Sequence, residues 1–94
     1  MDYENLEISQ LGVGNTLNGL YRGQRVHRFP AFNDQEPQFL ARVFLDTAGG
    51  PVVVNVDELA IEQIGVLEVS DGDRIIISRL NDDRHLVAKE GPEE

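Results

Sequence analysis

The chain has 94 residues, 40% of them apolar, and sets seventeen acids against eight bases for a net charge of −9 at pH 7. That length holds one domain with one core, and the apolar fraction is too high for a disordered chain. With no cysteine there is neither a disulfide framework nor a thiolate metal site, and no apolar run approaches the ~20 residues of a membrane-spanning helix.

Residues 1–15 form a lead-in that opens on the acidic stretch Met1-Asp2-Tyr3-Glu4 and holds Gly12 and Gly14 near its end. A secretory signal begins basic and then turns apolar, so the expectation is a soluble, cytoplasmic protein. The lead-in reads as an extended segment, a cap or a tail. The first long strand is expected from Thr16 to Phe29, with Gly19 and Gly23 marking a bulge or a sharp bend. Pro30 to Pro37 reads as a loop, because two prolines and Asn33-Asp34 interrupt any ladder.

Gln38 to Asp46 alternates with period two, putting Phe39, Ala41, Val43 and Leu45 on one face and Leu40, Arg42 and Phe44 on the other. A turn at Thr47–Gly50 leads into Pro51–Val56, where Val52, Val54 and Val56 share a face. A short helix follows, capped by Asn55 or Asp57, with capping-box spacing between Asn55 and Glu58. Val56, Leu59, Ala60, Ile64 and Leu67 keep helical spacing, and Gly65 points to an end nearby. Ser70–Asp73 is a tight turn. Arg74 to Leu80 is a strand whose run Ile75-Ile76-Ile77 suggests burial on both faces. After a turn at Asn81–Arg84, a last strand covers His85–Lys89, and residues 90–94 form a polar tail.

The predicted fold class is therefore all-β with one short helix, in the order β-β-β-α-β-β, as a single domain over residues 1–94. In a five-stranded OB-like barrel a helix between the third and fourth strands plugs one end. The segment Val66 to Ile77, with Gly72-Asp73 opening a strand, resembles the entry to the fourth strand of OB-fold proteins. These include initiation-factor-one-like and cold-shock-like barrels and small phage-encoded OB proteins. Gly19-Leu20-Tyr21-Arg22-Gly23 resembles their bent first strand, and the resemblance implies that this chain closes into a five-stranded OB-like barrel. The second half also resembles swapped-hairpin regulators of the AbrB type, through Arg42–Asp46, Gly49-Gly50, Val52–Val56, Leu59–Gly65, Gly72-Asp73 and the last two strands. It departs from them in lacking a proline before the helix, and that resemblance leaves Thr16–Phe29 unused.

Arg22, Arg25, His27 and Arg28 fall within seven residues, flanked by Tyr21, Phe29 and Phe32. Arg42 and Phe44 extend that set onto the next strand. Arginines hold phosphates and aromatic rings stack bases in single-strand binders, and the OB resemblance implies that the same region of the barrel grips nucleic acid. The bland alternative has the arginines balancing acids and the aromatics filling the core. His27 and His85 lack metal-ligand spacing, and Asp71, Asp73, Asp82 and Asp83 do not follow a calcium-loop order. Ser9, Ser70 and Ser78 lie in no nucleophile motif, and Gly12-Val13-Gly14 is not continued into a dinucleotide fingerprint.

The expectation is a binding module without enzymatic activity, cofactor or metal, whose partner is single-stranded nucleic acid. A structural or adaptor barrel in a protein assembly, such as a viral particle, is the alternative, with homo-oligomers allowed. A dimeric swapped-hairpin DNA regulator is the third reading.

Overall fold

The computed structural model describes residues 6–81 and 84–90. The first five residues of the lead-in, Asp82 and Asp83 of the last expected turn, and the tail beyond Glu90 lie outside the described residues. The strands are β1 (Ile8–Ser9), β2 (Thr16–Phe29), β3 (Gln38–Thr47), β4 (Gly50–Val56), β5 (Arg74–Arg79) and β6 (His85–Lys89), with helix α1 (Glu58–Val66) between β4 and β5. They form one mixed sheet in the order β1-β4-β3-β2-β5-β6. Among the described residues the protein is thus mostly β with one helix, as expected, but the sheet has six strands rather than five. It is also open, where a closed barrel was anticipated.

The central strand β2 serves two partners. Thr16–Leu20 pairs antiparallel with β5, and Leu20–Phe29 pairs antiparallel with β3. The change of partner takes place at the glycines. A Cβ on Gly19 would stand 2.8 Å from the Asp46 carbonyl oxygen, and Gly23, at φ +134°, follows a register shift after Tyr21. An L-residue with a side chain meets backbone at the first position and a forbidden conformation at the second. The bend at two glycines is therefore what lets one strand bridge both halves of the sheet.

The core lies on one face of this sheet beneath α1. Ala41, Val43 and Leu45 of β3, Val54 and Val56 of β4, Ile75 and Ile77 of β5 and Val87 of β6 pack with Tyr21, Ala60 and Ile64. β3 alternates as its sequence predicts. β5 does not bury both faces: Ile75 and Ile77 are fully buried, and Ile76 between them is only partly so. Its neighbours Asn18 and Ala88 are short and exposed, so nothing tall stands beside it.

Helix α1 begins after Asp57, which makes no side-chain cap to it, and Asn55 lies in β4 rather than in a capping box. The helix passes Gly65 and ends where Glu68 adopts φ +55°, with the Val69 N–H donating back to the Ile64 carbonyl at 3.1 Å. Asp57 turns instead to β6: its Oδ1 accepts the His85 N–H at 3.1 Å and lies 3.2 Å from His85 Nδ1. Gln63 donates to the His85 carbonyl at 3.2 Å and accepts the Val87 N–H at 2.7 Å. Asp57, just before α1, and Gln63 within it thus cover the edge of β6 where a barrel would place another ladder. The opposite edge, on β4, carries β1 in parallel register, Ile8 beside Val53 and Ser9 beside Val54. The lead-in then crosses to β5, where the Gly14 N–H donates to the Arg79 carbonyl and the Arg79 guanidinium to the Leu11 carbonyl. It is an extended segment laid across the end of the sheet, with Leu11 against the core. Among the described residues no helix is long and apolar enough to cross a membrane.

Candidate functional site

Because Ala41, Val43 and Leu45 point inward, the alternate residues Leu40, Arg42 and Phe44 point to the other side of the sheet. The register carries this face across three strands. Gly23 lies opposite Phe44, Arg25 opposite Arg42, and His27 opposite Leu40. On the far side of β3, Phe44 faces Val53 and Arg42 faces Asn55. The face is graded in exposure. Arg25, His27 and Phe29 on β2 are exposed, Leu40, Arg42 and Phe44 on β3 are half-buried, and Val53 on β4 is only 2% exposed.

Five of the nine residues singled out from the sequence meet here: Arg25, His27, Phe29, Arg42 and Phe44. His27 and Phe29, two apart on one strand, stack with ring centroids 6.2 Å apart and planes 20° from parallel. Arg25 and Arg42 stand opposite each other in the β2–β3 register, two cationic side chains on one face of the sheet. The Nε of Arg42 and the Oδ1 of Asn55 are buried without a hydrogen-bond partner among the described residues. A buried donor left in this state costs about 1–3 kcal/mol. An unmet donor and an unmet acceptor therefore lie on adjacent strands of one face.

The other four residues go elsewhere. Tyr21 is a core residue whose hydroxyl donates to Gln24 Oε1 at 3.0 Å, and burial pushes its pKa up. Arg22 sits at the bulge and joins two acids, with Nε 2.8 Å from Asp46 and Nη1 3.2 Å from Asp71. These hydrogen bonds, with the charges of the same two acids, hold its pKa above the usual arginine value. Arg28 points to the core side at the far end of the hairpin. Its guanidinium lies 4.9 Å from the centroid of the Phe39 ring and donates to Glu58 at 2.8 Å. Phe32 is at the tip of the β2–β3 loop, 72% exposed, in a bridge with Gln35.

Three features escape a reading of the sequence. Asn55 matters because the register sets it opposite Arg42, and Glu58 because the helix start lies beneath Arg28. His85, 3% exposed and held by Asp57, is structural cement between β6 and α1. Among the described residues no three His, Asp or Glu side chains stand close enough to hold a metal ion. No protein-family model matches the chain, and neither a curated protein nor a solved structure is significantly similar to it.

Proposed function

We propose that the protein is a non-enzymatic, cytoplasmic binder of single-stranded nucleic acid that lays the strand across the outer face of β2 and β3. The observation that carries this reading is the Arg25–Arg42 pair, with the buried Nε of Arg42, beside the stacked His27 and Phe29 and near Phe44. A phosphate oxygen beside that pair gives the buried Nε of Arg42 its acceptor. The exposed rings of His27 and Phe29 offer the flat surfaces on which unstacked bases rest.

Charge distribution supports the same reading. From Leu20 to Leu45 the chain holds Arg22, Arg25, Arg28 and Arg42 against only Asp34 and Glu36, so the acids lie mostly elsewhere. Arg22 and Arg28 are paired with Asp46, Asp71 and Glu58, which leaves Arg25 and Arg42 as the hairpin's cations on the outer face, and the acidic remainder disfavours loose binding to bulk nucleic acid. The pairing of β2 with both β3 and β5, and the helix between β4 and β5, agree with an OB-like half-barrel whose seam the lead-in and α1 fill. Titration of a labelled oligonucleotide at two salt concentrations tests the proposal: affinity rises as salt falls. Failure to bind at low salt would sink it.

A second reading is an adaptor that binds protein, favoured by the exposure of Phe29 (49%) and Phe32 (72%) at the end of the hairpin. It predicts that Phe32→Ala leaves oligonucleotide affinity unchanged and weakens association with a protein partner.

A further inference from the structure

Resting on the nucleic-acid reading, we propose that the cleft at the loop end of the β2–β3 hairpin accepts one unstacked guanine base. The cleft, of about 390 Å³, is lined by Phe29, Pro30, Pro37 and Phe39 together with Arg28 and Glu58. That volume is within the range of small-ligand sites. Phe29 belongs both to this cleft and to the outer-face stack with His27, so the cleft adjoins the end of the platform, and a strand reaches it by turning around the edge of the hairpin at Phe29.

The polar groups in the cleft select the base. The Arg28 guanidinium is laid against the Phe39 ring at 4.9 Å and held by Glu58 at 2.8 Å. Both groups are therefore positioned by the fold, and both stay open to a ligand, at 65% and 51% exposed. The ion pair also neutralises Glu58, which otherwise would repel a nucleic acid. A carboxylate offers two acceptor oxygens side by side, and an arginine offers donors only. Guanine presents N1–H and the N2 amino group as adjacent donors, next to the O6 acceptor. Its edge therefore satisfies both oxygens of Glu58 and takes a donor from Arg28. Adenine and cytosine each set one amino donor beside a ring-nitrogen acceptor, and thymine sets one N–H between two carbonyls. Each of these places an acceptor against a Glu58 oxygen. Single-stranded bases are read in this way along their Watson–Crick edges.

The test compares a labelled oligothymidylate of about ten nucleotides, long enough to cover the platform, with the same strand carrying one central guanine, and with inosine in its place. The guanine strand is expected to bind about tenfold tighter than the all-thymine strand, as for one good bidentate contact. Inosine, which lacks the N2 amino group, is expected to lose most of that gain. Glu58→Gln brings the ratio between the guanine and thymine strands to about one, and Arg42→Ala lowers both affinities while leaving the ratio in place. Equal binding of the two strands by the unaltered protein, or a preference that survives Glu58→Gln, overturns the guanine site and leaves the platform standing. Absence of binding to either strand overturns both.

Discussion

Gln63 Oε1 accepts the amide proton of Val87 at 2.7 Å, and the same side chain donates to the carbonyl of His85. One helix side chain thereby does for β6 what a neighbouring strand does inside a sheet, meeting one N–H and one C=O spaced two residues apart. Leucine at position 63 fills similar space and meets neither. Gln63→Leu is expected to cost about 1–3 kcal/mol, the penalty of leaving part-buried backbone groups unpaired. Urea denaturation checks this through the midpoint at constant slope. An unchanged midpoint would show that water serves the β6 edge equally well.

The bend in β2 gives a second expectation. Alanine at Gly19 drives a methyl group into the Asp46 carbonyl, 2.8 Å away, and alanine at Gly23 must adopt φ +134°. Each substitution is expected to destabilise by about 1–3 kcal/mol, through overpacking at the first site and backbone strain at the second. Gly65 lies in the helix with open space around it, so Gly65→Ala is the control and should stabilise by up to about 1 kcal/mol. Thermal melts of the three variants rank them.

The turn before β5 carries a pH signature. The Ser70 N–H donates to Asp73 Oδ2 at 2.8 Å, and Lys89 lies 3.4 Å from the same oxygen. The backbone hydrogen bond first, then the lysine, hold the Asp73 carboxyl below its ordinary pKa, against a smaller opposing effect of desolvation. A depressed folded value means that the ionised side chain stabilises the fold above the unfolded pKa of about 4. That contribution is lost as the pH falls through the folded value. Asp73→Asn is therefore expected to be less stable than the unaltered protein at neutral pH, with the gap closing as the pH drops below about 4. A gap that stays constant with pH would rule out the carboxylate as its source.

Arg22 ties the β2 bulge to Asp46 and to Asp71 of the turn before β5. All three side chains are solvent-accessible, so the ties are screened. Arg22→Gln is expected to lower the melting temperature at low salt, with much of the difference gone at 1 M salt.

Much of this architecture was legible in the sequence, and the limits have physical causes. Period-two alternation identified β3 and its two faces, because one face is buried and the other is not. Gly19 and Gly23 announced the bend, since few other roles explain two glycines in one long strand. The open sheet was not legible. Closure depends on whether the β4 and β6 edges meet, and here Asp57 and Gln63 take the places on β6 that a partner strand would occupy. In the sequence Asp57 looks like an ordinary helix cap and Gln63 like an ordinary polar residue of a helix. The two-residue β1 is too short to leave a pattern.

The candidate site divided along the same line. Arg25, His27 and Phe29 alternate on β2, so their common face follows from spacing once the strand is assigned. Tyr21 was grouped with them by proximity in sequence, but the bulge after it puts its ring in the core. Arg28 falls on the opposite parity and turns toward α1. The pairing of Arg42 with Asn55 depends on the β3–β4 register, which the turn at Ala48 and Gly49 sets and which no local signal reveals.

The central claim is that Arg25 and Arg42 hold a phosphate of a bound single strand. Its most direct test is the salt dependence of oligothymidylate binding by the unaltered protein and by Arg42→Gln. A neutralised phosphate contact contributes about 0.7 to the slope of log affinity against log salt for a single strand. The variant is therefore expected to bind more weakly at low salt, with a slope shallower by about that amount. An identical slope and affinity would place the phosphate contacts, and the function of this face, elsewhere.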